Sequence, residues 1–406
     1  MSDYAIALIR EDQITETQAL MSQCFEAKLS SIFYLYPEST LVATYQGRVV
    51  AGINLDVYQV NRQVKMGYIG WLYTDDEHRG NNLAGKLLDE AIRFLKGEGC
   101  TSLCACVEGD NPASFKQLAR RDFSILGLKD QLKLFRLGTA KVYHHASRFF
   151  DMGYFLWHKS LTGQNSKEAD TAVKALTVTL FGNTLLFLFC LQGWNLLSLL
   201  GLHPVKNTFS SLTPIQQIIP ILIPSLFLLG RTGAMALVAT LEKKYGKDQH
   251  TTNNSNEKGD NPVQESMDPK IKKEAQYKEG IQQRAMLYRS WDTAWILAVI
   301  LTLTIGFPFP VPGNLYIKGH DWNLEREKYK LARMALAAQA FVALLALFVP
   351  KGMPRLFGLA LLLLDGLFFF YPFCGFNASR IKRMGAKTYG LSLAITLAVV
   401  LLLLVY

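Results

Sequence analysis

Paired cysteines are missing from this 406-residue chain: its six cysteines, Cys24, Cys100, Cys104, Cys106, Cys190 and Cys374, are scattered. None has the paired CxxC spacing of a zinc site, and no partner cluster exists. Cys104 and Cys106 alternate on an apparent buried strand and read as small core residues in a reducing compartment. Histidine is also scarce, with 7 in all and none inside an apolar run, so the apolar runs offer no imidazole to a zinc ion. His144 and His145 are neighbours, but no acidic or cysteine residue lies close to them in sequence. The start lacks an apolar leader: residues 1–18 are polar and charged, so the first domain is expected to stay in the cytoplasm. Acidic residues are the minority, 33 against 43 Lys and Arg, giving a formal charge of +10. Much of that excess falls in loops beside apolar runs, which reads as membrane orientation and argues against a nucleic-acid partner.

What is present divides in two. Residues 1–137 have the mixed texture of a soluble α/β domain. A helix is expected over 15–30, and strands over 41–45 and 49–58 form a hairpin around Gln46-Gly47. A strand over 66–74 follows. Residues 82–96 carry Leu83, Leu87, Leu88, Ala91, Phe94 and Leu95 at helix spacing, with Gly97 and Gly99 as the stop. Residues 101–107 form the next strand, and Asn111-Pro112 opens another helix, where the missing proline N–H costs little. Segments 123–128 and 131–136 are expected to close the sheet. The stretch 138–171 is rich in basic and aromatic residues, among them Lys141, Arg148, Tyr154 and Trp157. It reads as an amphipathic linker in a lipid headgroup region.

The turn between the third strand and its helix carries the chemistry. In His78-Arg79-Gly80-Asn81-Asn82-Leu83-Ala84, several backbone N–H groups and a helix N-terminus converge, a suitable seat for a pyrophosphate. Residues 72–123 resemble motif A and the following motif of the GNAT superfamily of N-acetyltransferases, and the resemblance extends over 1–137. It implies an acyl-CoA co-substrate held by Leu72, Thr74, Arg79, Gly80, Asn81, Asn82, Leu83, Ala84 and Asn111. Arg79, Leu83, Ala84, Asn111 and Phe123 fit the family pattern. Asn82 stands where glycine is usual, and Asp122 replaces another glycine. Leu118 occupies the position where many members carry a tyrosine that protonates the leaving thiolate. Glu108, Asp110, Tyr73 and Asp75 are candidates for a general base, and spacing singles out none of them.

From 172 onward, apolar runs occur at about 172–200, 210–241, 292–306, 331–349, 355–375 and 388–406, several long enough to cross roughly 30 Å of hydrocarbon. Segment 246–276 has almost no aliphatic residue and is expected to be a disordered cytoplasmic loop. Five crossings plus a re-entrant third run keep the basic segments 318–333 and 380–387 inside. Residues 210–406 resemble a degenerate site-2-type intramembrane metalloprotease through Pro312-Gly313-Asn314-Leu315-Tyr316-Ile317 and Pro372-Phe373-Cys374-Gly375-Phe376-Asn377. The metal-binding residues of that family do not carry over: Ala234-Met235-Ala236-Leu237-Val238 stands in for its histidine motif. Arg231 and Asp365 lie inside apolar runs and are expected either to pair or to mark a ligand cavity.

These readings give an α/β N-terminal domain and an all-α polytopic domain (172–406) with five or six apolar helices. The implied activity is transfer of an acetyl or longer acyl group from CoA to an amine at the inner face of a bacterial-type membrane, without a metal. The acceptor amine belongs to a lipid, a membrane protein or a small molecule. The competing reading is a regulatory protein that binds acyl-CoA without turnover.

Overall fold

The computed structural model describes residues 4–25, 33–146, 148, 151–163, 172–202, 213–256, 285–367 and 377–405. The chain forms two compact units, 1–170 and 171–406.

Unit 1 is a seven-stranded sheet in the order β1-β2-β3-β4-β5-β7-β6. The strands are β1 (Tyr4–Leu8), β2 (Thr40–Tyr45), β3 (Arg48–Asn61), β4 (Val64–Thr74), β5 (Ser102–Glu108), β6 (Ser124–Ile125) and β7 (Tyr154–Ser160). Only β4 and β5 pair in parallel. Gln46 and Gly47 have φ of 49° and 83°, so β2 and β3 are joined by a two-residue turn whose positive φ values suit strand twist. The helices are α1 (Ile14–Cys24), α2 (Leu83–Gly97), α3 (Pro112–Ala119), α4 (Leu128–Phe135) and α5 (Thr139–His145). One sheet face lies against α2 and α3: Leu95 reaches Gly67, and Phe115 packs on Trp157. The other face carries α1, where Asn54 meets Met21, and α4 and α5, whose Phe135, Val142 and Tyr143 join Tyr58, Met66 and Leu156.

Two expectations for this unit are corrected. The first domain does not stop at 137, and 138–171 is not an interfacial linker. Residues 139–145 form α5, and Tyr154–Ser160 is an inner strand between β5 and β6. Its residues alternate between faces, Leu156 joining the α4–α5 side and Trp157 the α3 side. A period of two on a short aromatic-rich and basic stretch reads as an interfacial helix only when the sheet that receives it is unknown. Likewise 131–135 is helical within α4, Arg136 opens a short 3-10 turn, and the segment does not close the sheet, because Gln131 and Phe135 point inward four residues apart.

Unit 2 is mainly helical. Its helices are α6 (Ala172–Leu191), α7 (Leu196–Leu199), α8 (Pro214–Asn256), α9 (Asp292–Ile305), α10 (Leu324–Phe348), α11 (Met353–Leu367), α12 (Asn377–Lys382) and α13 (Ala386–Val405). Four spans, Ala172–Leu199, Pro220–Glu242, Leu324–Phe348 and Ala386–Val405, are long and apolar enough to cross a membrane. The expected loop over 246–276 is helical as far as Asn256, as α8 propagates beyond its apolar part; residues 257–276 lie outside the described residues. Segment 372–376 also lies outside them.

A short sheet joins β8 (Met286–Arg289) to β9 (Asn314–Ile317), with Met286 opposite Ile317 and Arg289 opposite Asn314. These strands flank α9, so 290–313 begins and ends at one place. The 14-residue helix rises about 21 Å, and the non-helical stretch 306–313, at roughly 3.3 Å per residue, is long enough to run back beside it. Side chains satisfy this returning backbone. Asn183 Nδ2 donates to the Val311 carbonyl (3.0 Å) while Val311 N–H donates to Asn183 Oδ1 (2.8 Å). Tyr288 Oη donates to the Pro312 carbonyl at 2.7 Å, and Arg380 Nη2 to the Leu315 carbonyl at 2.8 Å. Arg231 and Asp365 do pair: Nε to Oδ2 is 2.6 Å, Nη2 to Oδ1 is 2.9 Å, and both side chains are fully buried. Arg231 Nη1 adds a hydrogen bond to the Gly313 carbonyl at 3.1 Å.

Candidate functional site

The parallel β4–β5 ladder runs from Met66 opposite Ser102 to Ile69 opposite Ala105 and then ends. Both strands continue, β4 to Thr74 and β5 to Glu108. On its other edge β4 stays paired to β3, but Ile53 to Leu55 on β3 spans Leu72 to Ile69 on β4. One extra β4 residue therefore bulges at Gly70-Trp71, which bends the strand away from β5. Past the last rung, alternate β4 backbone groups point into the opening between the strands. Asp75 N–H donates to the Val50 carbonyl, toward β3. By alternation Leu72 and Thr74 turn theirs the other way.

The chain leaves β4 through a tightly held turn. Asp75 accepts from Glu77 N–H at 3.0 Å. Tyr4 Oη and His78 Nδ1 lie 3.0 Å apart, and Asn81 Nδ2 donates to the His78 carbonyl at 3.0 Å. Gly80 has φ of +89°, open to glycine alone without strain. Asn82 takes φ 56°, ψ 28°, the left-handed conformation that asparagine tolerates. Its Oδ1 lies 2.5 Å from where a Cβ on Gly85 would sit, so the side chain folds back along the first turn of α2. It makes no capping hydrogen bond, which leaves the first-turn amides of α2 without a side-chain cap. Arg79 is exposed beside them, in an ion pair with Asp76 at 2.6 Å.

Leu72 and Thr74 thus stand at the end of β4, and Arg79, Gly80, Asn81, Asn82, Leu83 and Ala84 follow at the start of α2. Asn111 lies past the end of β5, at the same edge of the sheet, because the two strands are parallel. Its Oδ1 accepts from Ser114 N–H at 3.1 Å, so this side chain caps α3. Leu118 is buried at 3% exposure and offers no proton. Among the base candidates, Tyr73 is buried with burial raising its pKa, Asp75 is engaged in the turn, Asp110 is buried and Glu108 half-buried.

Sequence spacing gave no sign of a polar group on the α1–α5 face of the opening. Tyr34 rests its buried hydroxyl against Gly70, where a Cβ would lie 2.0 Å from it, and no described residue bonds that hydroxyl. Asp56 Oδ2 lies 2.6 Å from His145 Nδ1, and the His145 ring stacks on Tyr58 at 3.7 Å. Cys106 Sγ donates to Asp151 Oδ2 at 2.9 Å, and Arg148 Nε donates to the same oxygen at 2.7 Å. Asp56 and His145 are 89 positions apart, too far for local sequence to join them. Among the described residues no group of His, Cys, Asp and Glu has metal-site geometry.

No protein of curated function matches the chain. Several solved structures do. N-acetylglutamate synthase from Neisseria gonorrhoeae, complexed with coenzyme A and N-acetyl-glutamate, is 13% identical; the match covers 40% of this chain and 36% of that one, with a TM-score of 0.30. The GNAT family N-acetyltransferase YhbS from Escherichia coli, in complex with CoA, is 21% identical over 30% of this chain and 69% of its own, with a TM-score of 0.25. The PaiA N-acetyltransferase from Thermoplasma acidophilum, in complex with coenzyme A, is 14% identical over 39% and 99%, with a TM-score of 0.28. Residues 7–123 match the model of the acetyltransferase (GNAT) family, and the N-terminal α/β unit has the GNAT fold.

Proposed function

We propose that unit 1 binds acyl-CoA and transfers its acyl group to an amine, and that unit 2 embeds the protein in a membrane so that the amine is met at the inner face. The observation that carries this reading is the family match over 7–123, coincident with the opened β4–β5 edge and the uncapped turn. Arg79 and the amides of Gly80, Asn81, Asn82, Leu83 and Ala84 would hold the pyrophosphate, by charge and by the positive end of the helix dipole. Leu72 and Thr74 would bond the pantetheine arm, and Asn111 would flank it. The neutral amine then attacks the thioester carbonyl; the C–N bond forms, the C–S bond breaks, and the amine proton reaches the departing sulfur. Positioning supplies most of the acceleration, since the cofactor carries the activated group. The acceptor is an amine of a lipid headgroup, a membrane protein or a small molecule. Tethering beside a bilayer raises the effective concentration of membrane-borne acceptors.

A second reading has a specific observation behind it. Leu118 is packed into the core where many relatives place a tyrosine acid, which favours a unit that binds acyl-CoA as a regulatory ligand. One experiment separates the two: thiol release from acetyl-CoA by the purified chain with pooled membrane lipids and amines. Turnover supports transfer; saturable binding without thiol release supports regulation. Arg79→Glu sets a negative charge against the phosphates and is expected to weaken acetyl-CoA binding more than tenfold by calorimetric titration. Unchanged affinity would remove the turn from the site.

A further inference from the structure

The outer surface of α4 and α5 is cationic and carries two bare leucines. Lys129, Leu132 and Lys133 recur at helix spacing on the exposed side of α4, and Arg136 stands exposed just past its end. Leu137 follows at the corner before α5, and Lys141 stands exposed on α5. Leu132 is 51% exposed and Leu137 is 97% exposed, while Gln131 and Phe135 on the same helix are fully buried. Residues 128–145 hold four Lys and Arg against one acid, Asp130. Among the described residues no ion pair engages Lys129, Lys133 or Arg136. An exposed leucine is ordinary, but one at nearly full exposure on a helix corner, next in sequence to an unpaired arginine and on a segment rich in exposed cations, is not.

We infer that this face of unit 1 rests on an anionic lipid surface, with Leu137 and Leu132 entering the acyl boundary and the cations lying among the headgroups. Complementary charge argues for lipid, since cations around an apolar tip suit a negatively charged leaflet. Size argues the same way. Six residues make up this patch, where a stable protein complex engages roughly 20–30 residues a side. A weak lipid contact is sufficient when the rest of the chain already holds the unit at the bilayer, so the inference rests on unit 2 being membrane-embedded.

The test uses the full chain in nanodiscs of phosphatidylcholine, with or without phosphatidylglycerol, carrying brominated acyl tails. Leu137→Trp adds an indole at a site so exposed that folding is undisturbed, and the wild type supplies the background. Brominated tails should quench the added fluorescence at least twofold more with phosphatidylglycerol than without. The combined Lys129→Glu, Lys133→Glu, Arg136→Glu variant should erase that difference, and Leu132→Trp should repeat the pattern. Indole fluorescence that stays open to aqueous acrylamide and insensitive to bromine overturns the inference. So does fluorescence shielded from both quenchers, which would mean that a protein or a second copy covers the face. A chain that stays soluble without detergent and enters no nanodisc instead defeats the reading of unit 2.

Discussion

Arg231 and Asp365 are both fully buried, and each satisfies the other through two hydrogen bonds. Removing one partner strands the other. Asp365→Asn and Arg231→Gln are each expected to lower stability by roughly 3 kcal/mol, read from thermal unfolding in detergent. The double change should cost less than the sum, because it leaves no lone charge; additive losses would mean that the two residues act separately. His158 presents the opposite case, a single titratable ring under the sheet. Burial lowers its pKa to about 4, and neither ring nitrogen has a partner among the described residues. The folded state therefore refuses a proton that the unfolded chain accepts below about pH 6.5. Stability supplied by the neutral ring is complete above that value and declines as pH falls toward 4, by about 3 kcal/mol in total. His158→Phe should flatten the unfolding curve over this window, and an unchanged slope would assign the acid sensitivity elsewhere.

At the level of elements, the legible parts were those whose signal is local. The β2–β3 hairpin announced itself by Gln46-Gly47, and α2 by six apolar residues on one face. The β4 turn stood out because glycine, asparagine and arginine cluster where a strand hands over to a helix. Arg231 and Asp365 were each conspicuous in an apolar run, so their pairing was open to inference before either was located. Elements that depend on distant partners were not legible. β7 lies between β5 and β6, and its buried aromatic alternation resembles an interfacial helix until those neighbours are known. The β4 bulge arises from the register with β3, which no single strand encodes. Asn111 stands before Pro112 and its Oδ1 caps α3, a role legible in the Asn-Pro pair itself. Tyr34 escaped notice because its meaning comes only from lying over Gly70.

At the scale of the whole chain, the number of crossings follows from whether 290–313 passes through the bilayer or returns. The β8–β9 pairing brings its ends together, which favours return; on the proposed membrane reading, the four long apolar spans plus α11 would then make five crossings. An odd number sets the two termini on opposite sides. On that reading, reporters fused after Tyr406 and before Met1 should lie on opposite sides of the membrane, as judged by alkaline phosphatase and fluorescent-protein fusions. Reporters on one side would mean that α9 crosses or that α11, with 15 residues, does not.

The stitching of β8 to β9 also bears on how the protein is made. A hairpin joined at its feet is complete only when both limbs exist. Its second foot exists only once residue 317 has been synthesised, and Asn183, which grips the returning limb, was made long before. Closure of this segment therefore follows synthesis of α6 and α8 and waits on residue 317.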